Sequence, residues 1–246
     1  RNLMKRVTYL QDELERVRPF DEIVGKDEKM HRVFDLISSI ADSEGAVLIQ
    51  GESGTGKELV ARAIHRMSPR KDQPFVVIAC AAIPPTLVES ELFGYQKGAF
   101  TGALRTTFGK LEIANKGTVL LDDIDTLDVN MQAKLLRVIQ EKEFERLGTT
   151  KVIKLDVRFL ASTNRDLTQL IQAGSFREDL FYRLNVLPIQ LPPLRQRKKD
   201  IPLLIEHFLR INAKRSGKPP KTFSREAVEA LTGYDWPGNV RELQNL

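Results

Sequence analysis

Cysteine and histidine are scarce in this chain of 246 residues. The single cysteine, Cys80, excludes an intrachain disulfide and is expected to be a small buried thiol. The three histidines are scattered, which excludes a metal centre built on closely spaced histidines. Long apolar runs are also missing: no segment approaches the ~20 residues of a membrane span, and the N-terminus has no apolar signal-peptide centre. We therefore expect a cytoplasmic protein with no membrane partner.

A block of one charge is missing as well. The 38 lysines and arginines are interspersed with 33 aspartates and glutamates, and the net charge is only +5. Charge alone therefore does not indicate a nucleic-acid partner. What the chain does have is a hydrophobic content of 41%, which is enough to bury a core in one large domain, or in a large and a small one.

Apolar residues near the N-terminus alternate at spacings of four and three until Pro19 ends the pattern. They are Leu3, Val7, Leu10, Leu14 and Val17. Two interpretations stay open, a short coiled coil or an amphipathic helix that packs on its own domain. In both of them, residues 1–18 form a linker helix.

Beyond Pro19, short apolar segments alternate with helix-like ones, a pattern typical of a parallel sheet with crossover helices. Strands are predicted over residues 46–50, 75–79, 118–122 and 157–162, and helices over residues 57–67, 86–93, 131–141 and 167–173. After residue 192 only helices are predicted, at 200–214, at 224–232 and from 239 onward. The chain thus divides into an α/β core, residues 19–191, and a helical lid, residues 192–246, which we expect to continue beyond Leu246.

A glycine-rich segment, GESGTGK at residues 51–57, follows the first predicted strand and opens a predicted helix. This order is the context of a phosphate-binding loop, in which backbone N–H groups and a helix N-terminus hold phosphate. Lys57 is predicted to reach the β- and γ-phosphate oxygens. Glu58 stands where the motif usually has a hydroxyl ligand for magnesium, so Thr55 or water would have to replace that ligand. The predicted nucleotide contacts are Gly51, Glu52, Ser53, Gly54, Thr55, Gly56, Lys57 and Glu58.

Two adjacent carboxylates end the third predicted strand. Asp122 is predicted to hold magnesium, directly or through water, and Asp123 to orient or deprotonate the attacking water. Acids at a strand end can also cap the helix that follows. The phosphate-binding loop upstream favours the catalytic interpretation.

The hexapeptide at residues 98–103 lies between these two motifs, and its small residues flank one aromatic. The polar segments on either side, 95–97 and 104–107, argue against a core position for Phe100. An aromatic at the tip of a mobile loop suggests contact with a partner. The candidate partner-binding residues are Gly98, Ala99, Phe100, Thr101, Gly102 and Ala103.

Three segments together resemble the central domain of bacterial enhancer-binding proteins, the AAA+ activators of sigma-54 RNA polymerase. They are GESGTGKE at 51–58, ESELFGYQKGAFTGA at 89–103 and WPGNVREL at 236–243, and the resemblance runs from about Phe20 to Leu246. It implies a P-loop AAA+ core, with a parallel sheet flanked by helices, and a small all-helical lid. It also implies a ring, a hexamer or heptamer built from dimers, that binds ATP and Mg²⁺ between subunits and remodels the closed promoter complex.

The resemblance further implies roles for residues outside the two nucleotide motifs. Asn164 matches a sensor of the γ-phosphate, and Arg177 and Arg183 match arginine fingers that reach a neighbouring subunit's ATP, a role that suits the guanidinium group. Without the resemblance, pairing of these arginines with neighbouring acids would be the better interpretation. Arg241 matches a second sensor, Ile23 and Val24 match contacts to adenine, and Phe100 and Thr101 match the contact to sigma-54.

Two positions depart from the family pattern, and both belong to the same functional unit. The family usually has glutamate where this chain has Asp123, and asparagine where it has Ala79. Alanine cannot replace the asparagine's hydrogen bond, which restrains the glutamate in the family. We expect this chain to lack that restraint and to position its catalytic carboxylate more weakly.

Two other functions compete with the ring ATPase. A nucleotide-gated assembly module would bind ATP and form rings but hydrolyse poorly. A helicase or clamp-loader motor would bind nucleic acid through Lys151, Lys154 and residues 195–199, but a continuous basic groove and an aromatic stacking surface are missing from the sequence. We interpret residues 195–199 as a solvated segment at the core–lid junction, and we expect DNA binding only from a domain outside this chain.

Overall fold

Parallel strands form the centre of the computed structural model, which describes residues 23–217, 219 and 221–246. The linker helix predicted over residues 1–18 lies outside the described residues. In chain order the elements are α1 (Glu28–Ile40), β1 (Val47–Gln50), α2 (Lys57–Met67), β2 (Phe75–Ala79), α3 (Pro85–Phe93), β3 (Gly94–Tyr95), β4 (Thr107–Phe108), α4 (Lys110–Ile113), β5 (Thr118–Asp122), α5 (Val129–Glu141), β6 (Glu143–Glu145), β7 (Val152–Lys154), β8 (Arg158–Thr163), α6 (Leu167–Gln172), α7 (Glu178–Leu184), β9 (Leu187–Gln190), α8 (Ile201–Ser216), α9 (Arg225–Gly233) and α10 (Asn239–Gln244).

The main sheet has the strand order β2-β5-β8-β1-β9, and all its strands run in parallel. Its register places Leu48 opposite Ala161 on β8, and Ala79 opposite Asp122. Parallel strands have their carboxyl ends at one edge of the sheet, so the loops after β1, β5 and β8 meet there.

Helices cover both faces of the sheet, which explains why its strands are rich in apolar residues. Successive residues of β5 show the alternation: Leu121 packs with α3 to α7 on one face, whereas Leu120 packs with α1 and α2 on the other. Both leucines are fully buried. The phosphate-binding loop is thus attached to a rigid three-layer core.

The lid has an apolar core of its own. Leu194, Ile201, Leu204, Ile205, Trp236 and Leu243 form this cluster, which joins α8, α10 and the segment that connects them to the sheet. Val24, at the start of the described chain, packs against it. The lid therefore contacts the core on the side where α1 begins.

The predicted strands and helices are confirmed to within two residues at the ends that were predicted. The prediction missed β9 because Pro188 interrupts its pattern, and a strand with an internal proline is tolerated at a sheet edge, where β9 lies. It also missed α1, whose buried residues recur at helical spacing and could have revealed it. They are Met30, Val33, Ile37 and Ile40.

Two small hairpins lie outside the main sheet. β3 pairs with β4 and encloses the hexapeptide loop, and β6 pairs with β7. The backbone N–H of Gln96 donates to Leu147 O at 2.9 Å, and the N–H of Leu147 donates to Gly94 O at 3.0 Å. The base of the hexapeptide loop is therefore tied to the second hairpin. In the part of the chain that the structure describes, every helix is too short or too polar to cross a membrane.

Candidate active site

The loop after β1 needs glycine at two positions with positive φ. Gly54 has φ +78° and Gly56 has φ +102°, a region that residues with a side chain adopt at a cost. A Cβ at Gly54 would also lie 2.3 Å from the carbonyl oxygen of Gly238 in the lid. Gly56 precedes α2, whose N-terminus contributes positive potential to the loop. The sequence thus builds a phosphate cradle that touches the lid.

Lys57 is 9% exposed, and its ammonium group points back across the loop. Its Nζ donates to Gly51 O at 3.0 Å and to Glu52 O at 3.3 Å. Burial lowers the pKa of Lys57, while the carboxylates of Asp123 and Asp122 oppose that change. The lysine therefore faces the two carboxylates that the sequence analysis singled out.

Asp122 ends β5, and Asp123 follows it in the left-handed backbone region at φ 52°. Asp122 accepts a hydrogen bond from the Ser162 hydroxyl of the neighbouring strand. Burial raises the pKa of Asp123, and the charge of Asp122 raises it further. A carboxyl group with a raised pKa beside a phosphate loop is suited to accept a proton.

A third carboxylate at this edge was missed by the sequence analysis. Asp125 accepts a hydrogen bond of 2.6 Å from Thr163 Oγ1, and the same hydroxyl accepts from the N–H of Arg165 at 3.1 Å. Asn164, predicted as the γ-phosphate sensor, lies between these two residues and is exposed. Hydrogen bonds from Ser162 and Thr163 thus fix the end of β8 against the carboxylates after β5.

A cavity of about 490 Å³ lies between the core and the lid, within the size range of small-molecule sites. Its polar end is formed by Ser53, Gly54, Thr55, Gly56, Lys57, Glu58, Asp122, Asp123 and Arg241, all predicted site residues. Its apolar end includes the predicted Ile23 and Val24, with Leu204, Phe208 and Ile211 of α8. His207 also lines the cavity and was not predicted. The arrangement suits a ligand with a phosphate chain and an apolar ring.

The lid is hydrogen-bonded directly to the phosphate loop. Arg241 Nη1 donates to Ser53 Oγ at 3.0 Å, and the backbone N–H of Val240 donates to Gly54 O at 3.0 Å. Glu52 forms two hydrogen bonds with Arg195, at 2.8 and 2.6 Å. Predicted loop and lid residues are therefore brought together in one cluster.

The interpretation of residues 195–199 as a solvated segment is wrong for Arg197. This side chain is 2% exposed, and its Nη2 donates to Thr55 O at 3.0 Å. Burial lowers the pKa of Arg197, while the negative charges of Asp200 and Asp27 oppose that change. The pattern of alternating basic residues gave no sign of burial, because a long-range contact with the phosphate loop determines it.

The oxygen atoms at the polar end fit a magnesium ion that also binds phosphate. Asp122, Asp123 and Thr55 line the cavity, as does Glu58, whose carboxylate pairs with Arg62 at 2.8 Å. Among the described residues, no group of three His, Cys, Asp or Glu side chains is placed to hold a metal ion alone. Magnesium commonly binds through one or two carboxylates plus substrate phosphates. Asp122, with Thr55, would hold it, which leaves Asp123 free for another role.

Arg177 and Arg183 do not line this cavity. Arg177 lies immediately before α7 and forms an ion pair with Asp179 at 2.7 Å, and Arg183 is exposed in the last turn of the same helix. The pairing with a neighbouring acid, considered from the sequence, is therefore present for Arg177. Asn164 likewise does not reach the cavity lining.

The hexapeptide forms a closed turn with its own hydrogen bonds. The N–H of Gly98 donates to Ala103 O at 2.9 Å, and the N–H of Ala103 donates to Phe100 O at 3.0 Å. Phe100 is 44% exposed, and its ring forms an edge-type contact with that of Tyr95 at a centroid distance of 4.9 Å. Ala103 is buried at the base, so its side chain does not belong to the exposed surface. The tip presents Phe100, Thr101 and Gly102 to solvent.

A parallel sheet of order β2-β5-β8-β1-β9, a phosphate loop after β1, acids after β5 and a helical lid over the loop together define a P-loop AAA+ NTPase. The predicted fold class is thereby confirmed.

The sequence profile of the Sigma-54 interaction domain matches residues 23–190, and that of the AAA+ ATPase lid domain matches residues 195–246. The chain belongs to the Sigma-54 interaction domain family, as its three motifs indicated.

Relatives agree with this assignment. The chain is 52% identical over 225 residues to the DNA-binding transcriptional activator HyfR of Escherichia coli K12, covering 92% of this chain and 34% of HyfR. It is 51% identical over 223 residues to the transcriptional regulatory protein ZraR of Salmonella typhimurium, covering 91% of this chain and 51% of ZraR. The chain thus spans about a third to about half of the length of these relatives.

Solved structures give the same result. The structure of NtrX from Brucella abortus in complex with ATP superimposes with a TM-score of 0.86 at 39% identity, covering 99% of this chain and 51% of that one. Its complex with ADP gives a TM-score of 0.85 at 38% identity, with the same coverage.

Replacing Gly54 by alanine tests the contact between loop and lid. We expect Gly54→Ala to raise the Kd for ATP about tenfold, equivalent to about 1.4 kcal/mol, because the added Cβ collides with Gly238 O and displaces the lid. Titration with a fluorescent ATP analogue measures this. Gly174→Ala is the matched control, since Gly174 has φ +70° but open space around it. An equal loss of affinity in Gly174→Ala would show that backbone strain, not the lid contact, is responsible.

Proposed function

We propose that this chain is the ATP-hydrolysing domain of a ring-forming transcriptional activator, which remodels the sigma-54 RNA polymerase closed promoter complex through its hexapeptide loop. The observation that carries the proposal is the combination of a cavity with a cationic Lys57 facing two carboxylates and a separate loop with an exposed aromatic tip. The cavity supports nucleotide binding and hydrolysis, and the exposed loop supports contact with a macromolecular partner. The names of the relatives, which are transcriptional activators, support the same conclusion.

Each part of the cavity has a role in binding ATP. Lys57 and the loop N–H groups hold the β- and γ-phosphates, while Ile23 and Val24 contact the adenine. Bound magnesium would neutralise charge on the phosphates, and Asp122 would hold it. Asp123 orients the attacking water and accepts its proton, a role that its raised pKa suits.

Hydrolysis requires a second subunit in this proposal. Arg177 and Arg183 lie outside the cavity of their own chain, so their guanidinium groups serve the γ-phosphate of a neighbour. The Arg177–Asp179 ion pair is exposed on both sides, and exposed pairs are weak enough to exchange partners. The proposed assembly is a closed ring, a hexamer or heptamer, formed from dimers.

Nucleotide state is communicated through the end of β8. Asn164 follows Thr163, the last residue of β8, and the Thr163 hydroxyl donates to Asp125 in the segment after β5. A displacement of Asn164 at the γ-phosphate therefore moves the ends of both β8 and β5. The hexapeptide loop then changes position and its tip, Phe100 with Thr101, contacts sigma-54. DNA is bound only by a domain outside this chain.

A specific observation favours a second candidate function, a nucleotide-gated assembly module with weak hydrolysis. Ala79 lies opposite Asp122 in the register of β2 and β5, and it offers no side-chain hydrogen bond to the carboxylates. Asp123 is one methylene shorter than the glutamate usual in the family. Both differences affect the positioning of the attacking water while leaving the ATP contacts in place.

The steady-state ATPase rate at varied protein concentration separates the two functions. For a ring with fingers in trans, the specific rate of the wild type rises with concentration, and Arg177→Ala lowers it on the order of a thousandfold with ATP binding retained. Arg225→Ala is the control, because Arg225 is also exposed and pairs with a neighbouring acid, Glu229. A negligible wild-type rate at every concentration, despite ATP binding, would favour the assembly module instead.

Lengthening the catalytic carboxylate tests the weak positioning of Asp123. We expect Asp123→Glu to raise kcat about fivefold or more with unchanged ATP affinity, because the extra methylene brings the base closer to the attacking water. Asp125→Glu is the matched control, since it lengthens a carboxylate that binds Thr163 and does not line the cavity. An unchanged or reduced kcat in Asp123→Glu contradicts the idea.

Open-complex formation with sigma-54 holoenzyme and promoter DNA tests the role of the loop. Phe100→Ala is expected to lower open-complex formation about tenfold or more, with ATP turnover within about twofold of the wild type. The reason is that Phe100 lies in the exposed tip and outside the cavity. Phe223→Ala, which removes an aromatic of similar exposure, 41%, from the lid, is expected to change neither quantity. Equal losses in both variants would argue against a specific contact by the loop.

A further inference from the structure

The first residue of α10, Asn239, lies between the lid and the phosphate loop and is fully buried. Its Nδ2 donates to Ser53 O at 3.0 Å and to Glu52 Oε2 at 3.2 Å. Its Oδ1 accepts from the backbone N–H of Leu194 at 2.7 Å. One side chain of α10 thus connects the phosphate loop with the segment at Leu194 that joins core and lid.

Position 239 restricts which residue can make these contacts. The backbone has φ +55°, a left-handed conformation that asparagine adopts more readily than most residues with a side chain. Both ends of the side-chain amide are used, the NH₂ as donor and the carbonyl oxygen as acceptor. Aspartate has the same shape but offers no donor at neutral pH.

Glu52 receives hydrogen bonds from both ends of the lid segment. Arg195 donates to its two carboxylate oxygens at 2.8 and 2.6 Å, and Asn239 donates to Oε2. The hydrogen bond from Arg195 lowers the pKa of Glu52, so this carboxylate is anionic at neutral pH. The second residue of the phosphate loop is therefore fixed from two directions.

The hydrogen bonds to loop carbonyls determine where loop N–H groups point. In a trans peptide the C=O of Ser53 and the N–H of Gly54 point in opposite directions. Asn239 holds Ser53 O, and the N–H groups of Val240 and Arg241 donate to Gly54 O at 3.0 and 3.3 Å. The carbonyl oxygens of Ser53 and Gly54 thus accept hydrogen bonds from the lid. The N–H of Gly54 points away from the Ser53 carbonyl and therefore away from the hydrogen bond with Asn239.

We propose that Asn239 is a positioning residue for the phosphate-binding loop. By holding the Ser53 carbonyl and the Glu52 carboxylate, it keeps the Gly54 peptide in the orientation that receives phosphate, and it makes this orientation depend on the contact between α10 and the loop. The inference rests on the nucleotide site of the proposed function. It adds a residue that contacts no ligand and acts through the loop backbone.

Asn239→Asp tests the inference with an isosteric change. The new carboxylate replaces a donor by an acceptor that faces Ser53 O, and it places a second negative charge beside Glu52. Because these buried groups are then unpaired, the contact between α10 and the phosphate loop is strongly weakened. We expect the Kd for ATP, measured by titration calorimetry, to rise about tenfold or more. We also expect KM to rise with it, while kcat at saturating ATP stays within about twofold, because bound phosphate restores the loop orientation.

A second substitution gives a rescue that general damage to the fold would not show. In Glu52→Gln/Asn239→Asp, the new amide at position 52 donates to the new carboxylate at 239, so the direction of the hydrogen bond is reversed. We expect this double variant to bind ATP at least about threefold more tightly than Asn239→Asp, a coupling of about 0.6 kcal/mol. Asn212→Asp, on the exposed face of α8, is the control for added lid charge and is expected to bind ATP like the wild type.

The outcomes are distinct. A Kd for Asn239→Asp within about twofold of the wild type overturns the positioning role, and so does an absence of rescue in the double variant. If thermal unfolding shows that Asn239→Asp does not fold, the double variant decides, because a folded, ATP-binding double variant supports the role and an unfolded one overturns it. Binding is measured separately from turnover, so a wild type that binds ATP without hydrolysing it would contradict the proposed ATPase and leave this test intact.

Discussion

Hydrogen bonding between the parallel strands β1, β5 and β8 is the constraint on which the site depends. The register of these strands brings their carboxyl ends to one edge, where the phosphate loop, Asp122 and Asn164 follow directly. A shift of one residue in any of these pairings would turn alternate side chains to the other face of the sheet. It would exchange Leu120 and Leu121 between the two apolar clusters on either face of the sheet, and it would break the hydrogen bond between Asp122 and the Ser162 hydroxyl. Burial of the strands on both faces therefore fixes the geometry of the acids at their ends.

The lid adds polar groups to this edge, and several of them are buried at a cost. Arg197 Nε and Asp200 Oδ2 have no hydrogen-bond partner among the described residues, although both side chains are almost completely buried. Other groups of these side chains have partners at the junction: Asp200 Oδ1 accepts from the N–H groups of Lys26 and Asp27, and Arg197 donates to Thr55 O and to Met30 Sδ. Incompletely satisfied buried groups are rare in cores and cluster where function requires them. Two of the three such side-chain groups among the described residues lie between core and lid, and the third, Arg158 Nε, lies in the core.

The sequence was informative wherever chemistry depends on a short segment. The phosphate loop, the acids after β5 and the hexapeptide could each be identified from adjacent residues, and the α/β alternation gave the fold class. Contacts between distant segments were missed. Arg197 belongs to a run of charges that looks solvated, yet Thr55, far away in the chain, buries it. Asp125 became significant only when β8 placed Thr163 beside it, and Asn239 only when the lid met Ser53. Pro188 concealed the edge strand β9, because a proline is compatible with a strand only where one side lacks a partner.

The hydrogen bonds that close the hexapeptide have a mechanical consequence. The N–H of Gly98 donates to Ala103 O across the base, and the N–H of Ala103 donates to Phe100 O, so the turn is braced from within. The ring of Phe100 contacts the ring of Tyr95, a contact worth about 1 kcal/mol beyond its buried area. The turn is therefore stiff in itself, and its base is attached to the second hairpin through the hydrogen bonds with Leu147. A small displacement at its base, next to Leu147, would be delivered at the aromatic tip with little loss to internal bending.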